Sequence, residues 1–134
     1  MQDKIIKLKS ILVVAGGWSD EREISILSGK NVFSCLKKNN YNVRFFNIRK
    51  NNIGQILDYK PDIIFNSLHG EFGEDGGLNS FAEKNKIAIT HSDAISSALC
   101  LNKRLLKNYL KKKLNILSPK EILYKNNINF PVIL

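Results

Sequence analysis

The sequence predicts an α/β domain built on a doubly wound, Rossmann-like parallel sheet, and three observations predict it. Short apolar runs without alternation mark strands buried on both faces. Segments with apolar residues at helical spacing separate those runs, and polar loops rich in glycine follow two of them. At 134 residues the chain amounts to about one domain, a size that buries roughly two-thirds of the unfolded chain's surface without a metal or disulfide staple.

Ile11-Leu12-Val13-Val14-Ala15, stopped by Gly16-Gly17, reads as a central strand. Ile24, Leu27, Val32, Cys35 and Leu36 then recur at helical spacing and predict a helix over 21–38, with Asp20 and Glu23 placed as a D-x-x-E capping box. Asn39-Asn40 ends it, 42–48 reads as the second strand and 53–57 as a short helix. Pro61 introduces the third strand, 62–68. A polar loop, 69–77, leads to a helix over 78–85, a short strand near 87–90, and helices over 94–101 and 103–113. Ser118-Pro119 breaks the pattern. Beyond it, 121–124 and 130–134 read as strands, the last beginning as the sequence stops.

Composition narrows the function classes. The chain carries 21 basic and 12 acidic side chains, a net charge of +9. The excess is nearly all Lys, and Lys with Asn makes up about a quarter of the chain. Lys111-Lys112-Lys113 ends a helix, where cations complement the dipole and face water, and no aromatic residues interleave with it, so nucleic acid is not indicated as a partner. The five-residue apolar run 11–15 is too short for a signal-peptide core or a membrane span, so the expectation is a cytoplasmic protein with no membrane partner. Cys35 and Cys100 stand alone in apolar stretches and read as buried free thiols.

Ligands of open parallel sheets bind beyond the carboxyl ends of the strands, which directs attention to 16–23 and 69–77. Gly16-Gly17-Trp18-Ser19 does not fit G-x-G-x-x-G, and Trp18 stands where a pyrophosphate would need close approach, so a dinucleotide turn is excluded. Asp20, Glu21 and Glu23 crowd one helical turn, which repels phosphate and suits an amine. Complementing the helix dipole explains Asp20 and Glu23 adequately, whereas Glu21 keeps both readings. The segment 68–77 gathers His69, the carboxylates Glu71, Glu74 and Asp75, and four glycines. A plain surface loop accounts for the carboxylates one by one and less well for a histidine at a strand end. With only His69 and His91 in the chain and no i,i+4 ligand pair, no metal site is predicted. His91 receives no role, and adjacent His91, Ser92 and Asp93 do not make a hydrolase triad, whose members the fold must bring together.

Taken together, Gly16-Gly17-Trp18-Ser19-Asp20-Glu21-Arg22-Glu23-Ile24-Ser25, Leu68-His69-Gly70 and Gly73-Glu74-Asp75-Gly76 resemble the N-terminal domain of the D-alanine-D-alanine ligases. The resemblance continues through Thr90-His91-Ser92, Ser96-Ser97-Ala98-Leu99 and Asn102-Lys103, and reaches Phe130-Pro131-Val132-Ile133, which looks like the strand leading into the family's ATP-grasp domains. It implies residues 1–118 as a substrate-binding α/β domain and 119–134 as a linker and first strand toward ATP-grasp domains that this sequence does not include. It implies a cytoplasmic ligase of peptidoglycan precursor synthesis that uses ATP and magnesium to join two D-alanines through an acyl phosphate. By the same resemblance Glu21 is the catalytic carboxylate that holds the first D-alanine's ammonium. His69 lies near that substrate's carboxylate and acyl phosphate, and Lys103 reaches the nucleotide phosphates. Gly73, Glu74, Asp75 and Gly76 shape the loop. Metal ligands belong to the domains not included, and a homodimer is among the assemblies compatible with the resemblance.

Five positions in three segments depart from the family pattern: Asn79-Ser80 stands for Gln-Gly, Ala88-Ile89 for Pro-Tyr, and Asp93 for Gly. A positive φ at Ser80 or Asp93 would cost about 1 kcal/mol or more. Phosphoryl transfer depends on positioning and charge neutralisation, so these 134 residues alone are expected to make no dipeptide. The competing expectations are a non-catalytic remnant that binds a small amino acid or a partner protein, and a sister ligase with D-lactate as second substrate.

Overall fold

The computed structural model describes residues 9–119, and within them a four-stranded parallel sheet forms in the order β2-β1-β3-β4. The strands are β1 (Ile11–Gly16), β2 (Val43–Ile48), β3 (Ile63–Asn66) and β4 (Ala88–Ile89). The helices are α1 (Arg22–Lys38), α2 (Gly77–Lys84), α3 (Ala94–Leu101) and α4 (Lys103–Leu114), with a 3-10 segment at Ile53–Tyr59. Every residue of β1 is buried: the strand pairs on both edges, Ile11 with Val43 on one side and with Ile63 on the other, and both of its faces are covered. That double burial is the physical reason for its unbroken apolar run.

The two faces of β1 are covered differently. Side chains alternate along a strand. Leu12 and Val14 enter the main cluster with Phe46, Ile48, Ile56, Ile64, Leu68, Leu78 and Ala82, which the 3-10 segment and α2 roof over. Ala15 faces α1, where a Cβ on Gly29 would lie only 2.6 Å from the Ala15 Cβ and 3.1 Å from the Phe45 ring. Helix and sheet therefore meet through small residues: Ser25 and Gly29 are the buried positions of α1, and Phe33 follows one turn on, edge to face with Phe45 at 6.1 Å between centroids.

This close approach overturns one expectation. Cys35 is exposed, since the arc of α1 that contacts the sheet runs through residues 25, 29 and 33 and leaves Ile24 and Leu27 more than half exposed as well. Cys100 is also exposed, on α3, a helix with no buried residue. The D-x-x-E capping box does not form either. Helix α1 has Glu21 as its N-cap, one position later than the box requires, and no side chain caps it.

Several bounds shift for local reasons. The 3-10 segment runs to Tyr59 and is closed by Lys60 in the left-handed region at φ 46°, which turns the chain into β3. β3 is shorter than 62–68, although Ser67 N–H still donates to the Val14 carbonyl at 2.9 Å. Neither Ser80 nor Asp93, where a positive φ would have been costly, adopts one: Ser80 lies inside α2, and Asp93, at φ −61°, is the N-cap of α3. The expected strands at 121–124 and 130–134 lie outside the described residues. Among the described residues, no helix is long and apolar enough to cross a membrane.

Candidate functional site

Because β1 and β3 are neighbours in the sheet, the loops leaving their carboxyl ends come together, although about fifty residues separate them in sequence. Buried hydrogen bonds fix the spacing of the two strand ends. The Ser25 hydroxyl accepts from Gly16 N–H at 2.8 Å and donates to the Ser67 carbonyl at 2.7 Å. On the other side, the Arg22 guanidinium donates to the carbonyls of Gly17 (2.5 Å) and Ile48 (3.2 Å) and to Asn47 Oδ1 (2.8 Å), which closes the ends of β1 and β2. Gly16, at φ 96°, has to lack a side chain here, as a Cβ would sit 2.3 Å from Asn47 Oδ1 and 2.9 Å from Arg22.

The second loop is tightly folded by its own polar groups. Asn66, buried at the end of β3, donates from Nδ2 to the Gly73 carbonyl at 2.9 Å and accepts at Oδ1 from Leu68 N–H at 3.0 Å. Asp75 accepts from Phe72 N–H at 2.9 Å and Gly77 N–H at 2.8 Å, and Glu74 accepts from Gly70 N–H at 3.1 Å. Gly76, at φ 87°, leaves room for the Ala94 carbonyl. The Trp18 ring lies against Phe72 with centroids 4.9 Å apart, and Lys50 sits 5.3 Å over Trp18 and 3.8 Å from Glu71. Between the loops, the Ser19 hydroxyl donates to the His69 carbonyl at 2.7 Å.

The candidate residues fall into two adjoining groups. Glu21 is exposed at the start of α1, and its carboxylate makes no hydrogen bond or ion pair among the described residues. Its Oε2 lies 3.7 Å from where a Cβ on Gly70 would be, so the acid projects over the turn that follows His69. His69 is half-buried; its Nδ1 stands 4.0 Å from Glu74 Oε1, and its Nε2 is shielded from water without a partner. Lys103 belongs to the second group. It borders a hollow of about 300 Å³ with Glu74, His91, Ser92, Ser96 and Cys100, and its ammonium donates to the Cys100 carbonyl at 3.1 Å. Glu21 and His69 do not line that hollow; Glu74 touches both groups.

Asn79, fully buried on α2, donates from Nδ2 to the Ser92 carbonyl and so anchors the segment before α3. Asp93 then caps α3: its Oδ1 accepts from Ser96 N–H at 2.9 Å and its Oδ2 from the Ser96 hydroxyl at 2.8 Å, and these bonds hold its pKa below the ordinary aspartate value. From sequence Arg22, Asn66 and Ser25 were given no role of their own, and Asn79 entered only as a departure from the family pattern. Asn66 did carry a signal, a polar residue between buried Ile64 and Leu68 at the end of an apolar run. No group of three or more His, Cys, Asp or Glu among the described residues could hold a metal ion.

Comparison with known proteins bears on this arrangement. No family model matches the chain. A D-alanine-D-alanine ligase of Pelagibacter ubique is 40% identical over an alignment that covers 93% of this chain and 45% of that protein. One of Parvibaculum lavamentivorans is 41% identical over 74% of this chain and 32% of that protein. The crystal structure of D-alanine-D-alanine ligase from Bacillus anthracis complexed with ATP superimposes with a TM-score of 0.73 at 31% identity, covering 91% of this chain and 42% of the other. The chain thus spans less than half the length of the curated relatives it matches.

Proposed function

The chain belongs to the D-alanine-D-alanine ligase family, and from that premise we propose that it corresponds to the N-terminal domain and supplies the first D-alanine site of an ATP-dependent carboxylate-amine ligase. The observation that carries this reading is the Glu21 carboxylate, unengaged by any described residue and held over the Gly70 turn beside His69. A carboxylate so placed fits a substrate ammonium, a charge-assisted contact that also aims the substrate's own carboxylate.

In the proposed reaction an oxygen of that substrate carboxylate attacks the γ-phosphorus of ATP, ADP departs, and an acyl phosphate forms. The amine of a second D-alanine then attacks the acyl carbon and phosphate leaves. His69, next to the bound carboxylate, stabilises the charge that develops there. Lys103, at a hollow whose serine hydroxyls can also donate, takes the nucleotide phosphates. Gly73, Glu74, Asp75 and Gly76 keep the loop in shape. Magnesium would draw its ligands from outside the described residues, where it would neutralise phosphate charge. The product is the dipeptide of peptidoglycan precursors, made in the cytoplasm from small molecules, with neither nucleic acid nor membrane as partner. Residues 1–118 form the substrate-binding domain and 119–134 the passage to ATP-grasp domains, without which the 134 residues turn over no ATP.

The test is an amide-resolved NMR titration of the chain with D-alanine and L-alanine. D-alanine at about 10 mM, the range for a weak, half-built site, is expected to move the signals of Glu21, His69 and Gly70. L-alanine should move them less, and Glu21→Gln should abolish the response. No response at these residues, or an undiminished one in Glu21→Gln, overturns the reading. ADP released by the chain alone in a D-alanine-dependent manner overturns the requirement for further domains.

A further inference from the structure

Ser19 stands between the two groups on which the proposed amine site depends. Its Oγ donates to the His69 carbonyl at 2.7 Å and accepts from Glu21 N–H at 3.3 Å, while its own carbonyl accepts from Arg22 N–H at 3.1 Å. One hydroxyl therefore ties Glu21, at the start of α1, to His69, in the loop after β3 and fifty positions on from Ser19 itself. Gly70 makes the contact possible: at φ 68° it carries no side chain, and a Cβ there would crowd Ser19 Cβ at 3.1 Å and Oγ at 3.3 Å, with Glu21 Oε2 next at 3.7 Å. The bond is partly shielded from water, so its loss would not be made good fully by solvent.

Helix dipole and loop hydrogen bonds explain where Glu21 and His69 sit individually. Neither sets the two in relation to each other: Ser25 ties α1 to the Ser67 carbonyl below the loops, and between the loops themselves Ser19 makes the one hydrogen bond among the described residues, beside the Trp18–Phe72 ring contact. We propose that Ser19 is a positioning residue whose hydroxyl sets the Glu21 carboxylate and His69 at a fixed separation for a zwitterionic amino acid, the ammonium at one and the carboxylate near the other. The proposal rests on the ammonium-binding role given to Glu21.

The experiment compares the chain with Ser19→Ala and Ser19→Thr in the D-alanine titration, with the backbone amide spectrum as a check on folding. Loss of one partly shielded hydrogen bond corresponds to an affinity about tenfold weaker for Ser19→Ala, with Ser19→Thr, which keeps the hydroxyl, within about threefold of the parent. Parent and Ser19→Ala binding equally overturns the positioning role and leaves the D-alanine site standing. Should Ser19→Ala lose its fold, Ser19→Thr decides: near-parent affinity supports the role, and weakening of tenfold or more in a folded protein overturns it. A parent chain that does not respond to D-alanine at Glu21 and His69 overturns the site itself, and the role of Ser19 with it.

Discussion

Gly73 packs directly on Leu68: a Cβ on Gly73 would meet the Leu68 Cβ at 2.3 Å and its carbonyl carbon at 2.9 Å. The loop after β3 folds back on its own first residue, and the Asn66 amide clamps it there through the Gly73 carbonyl. Backbone cannot yield as the tip of a flexible side chain can, so Gly73→Ala is expected to cost about 1–3 kcal/mol. Gly54, where an added methyl would meet nothing within 4 Å and φ is not positive, is the contrast, and Gly54→Ala should leave stability unchanged or raise it by about 0.5 kcal/mol. Urea unfolding of the two variants measures the difference, and equal midpoints would refute the packing argument.

Ser25 leads to a second expectation. It is wholly buried, and Ser25→Ala would strand both Gly16 N–H and the Ser67 carbonyl away from water. Leaving such groups unpaired costs about 1–3 kcal/mol, more than the net worth of the bonds themselves. The same substitution should speed hydrogen exchange at Gly16 before it does so at Val13, deep in β1. Stability within about 0.5 kcal/mol of the parent would show that the backbone finds other partners.

Which of these features were legible in the amino-acid order follows from what each depends on. The run 11–15 announced a strand buried on both faces because composition alone carries that signal, and α3 was bounded correctly at 94–101, although the cap that Asp93 supplies was not read. The burial of Cys35 was misjudged because a 3.6-residue period identifies a helix without identifying the arc that meets the sheet. Here that arc is chosen by the absence of side-chain bulk at Gly29. Asp20 and Glu23 had the spacing of a capping box, yet the turn at Ser19 delays the helix by one residue. At the candidate site, residue types and strand ends were readable, whereas the ties from Ser19 to His69 and from Asn66 to Gly73 depend on strand order and loop closure, which local pattern does not encode.

The exposed thiols give a direct chemical check. Cys35 and Cys100 are both free and exposed, on different helices. Under native conditions iodoacetamide should modify both, at rates within about tenfold of an unstructured thiol, with the amide spectrum of the β-sheet unchanged. Modification that waits for denaturant at either residue would contradict the orientation of α1 or of α3.

Asp93 supplies the pH dependence. Its carboxylate accepts from Ser96 N–H and from the Ser96 hydroxyl, and those bonds favour the charged form, so its folded pKa lies below its unfolded one. A depressed carboxylate pKa contributes stability that is present above the unfolded value and lost as pH falls through the folded value. Helix α3 should therefore fray first at acid pH, loosening the hollow that Ser92, Ser96 and Lys103 border. Asp93→Asn keeps an acceptor at the cap and removes the titration, so its unfolding midpoint should vary less with pH than the parent's between about pH 2 and 5. Because the cap is exposed, salt should reduce the difference. Parallel pH profiles for the two proteins would mean that the cap on α3 contributes no linkage.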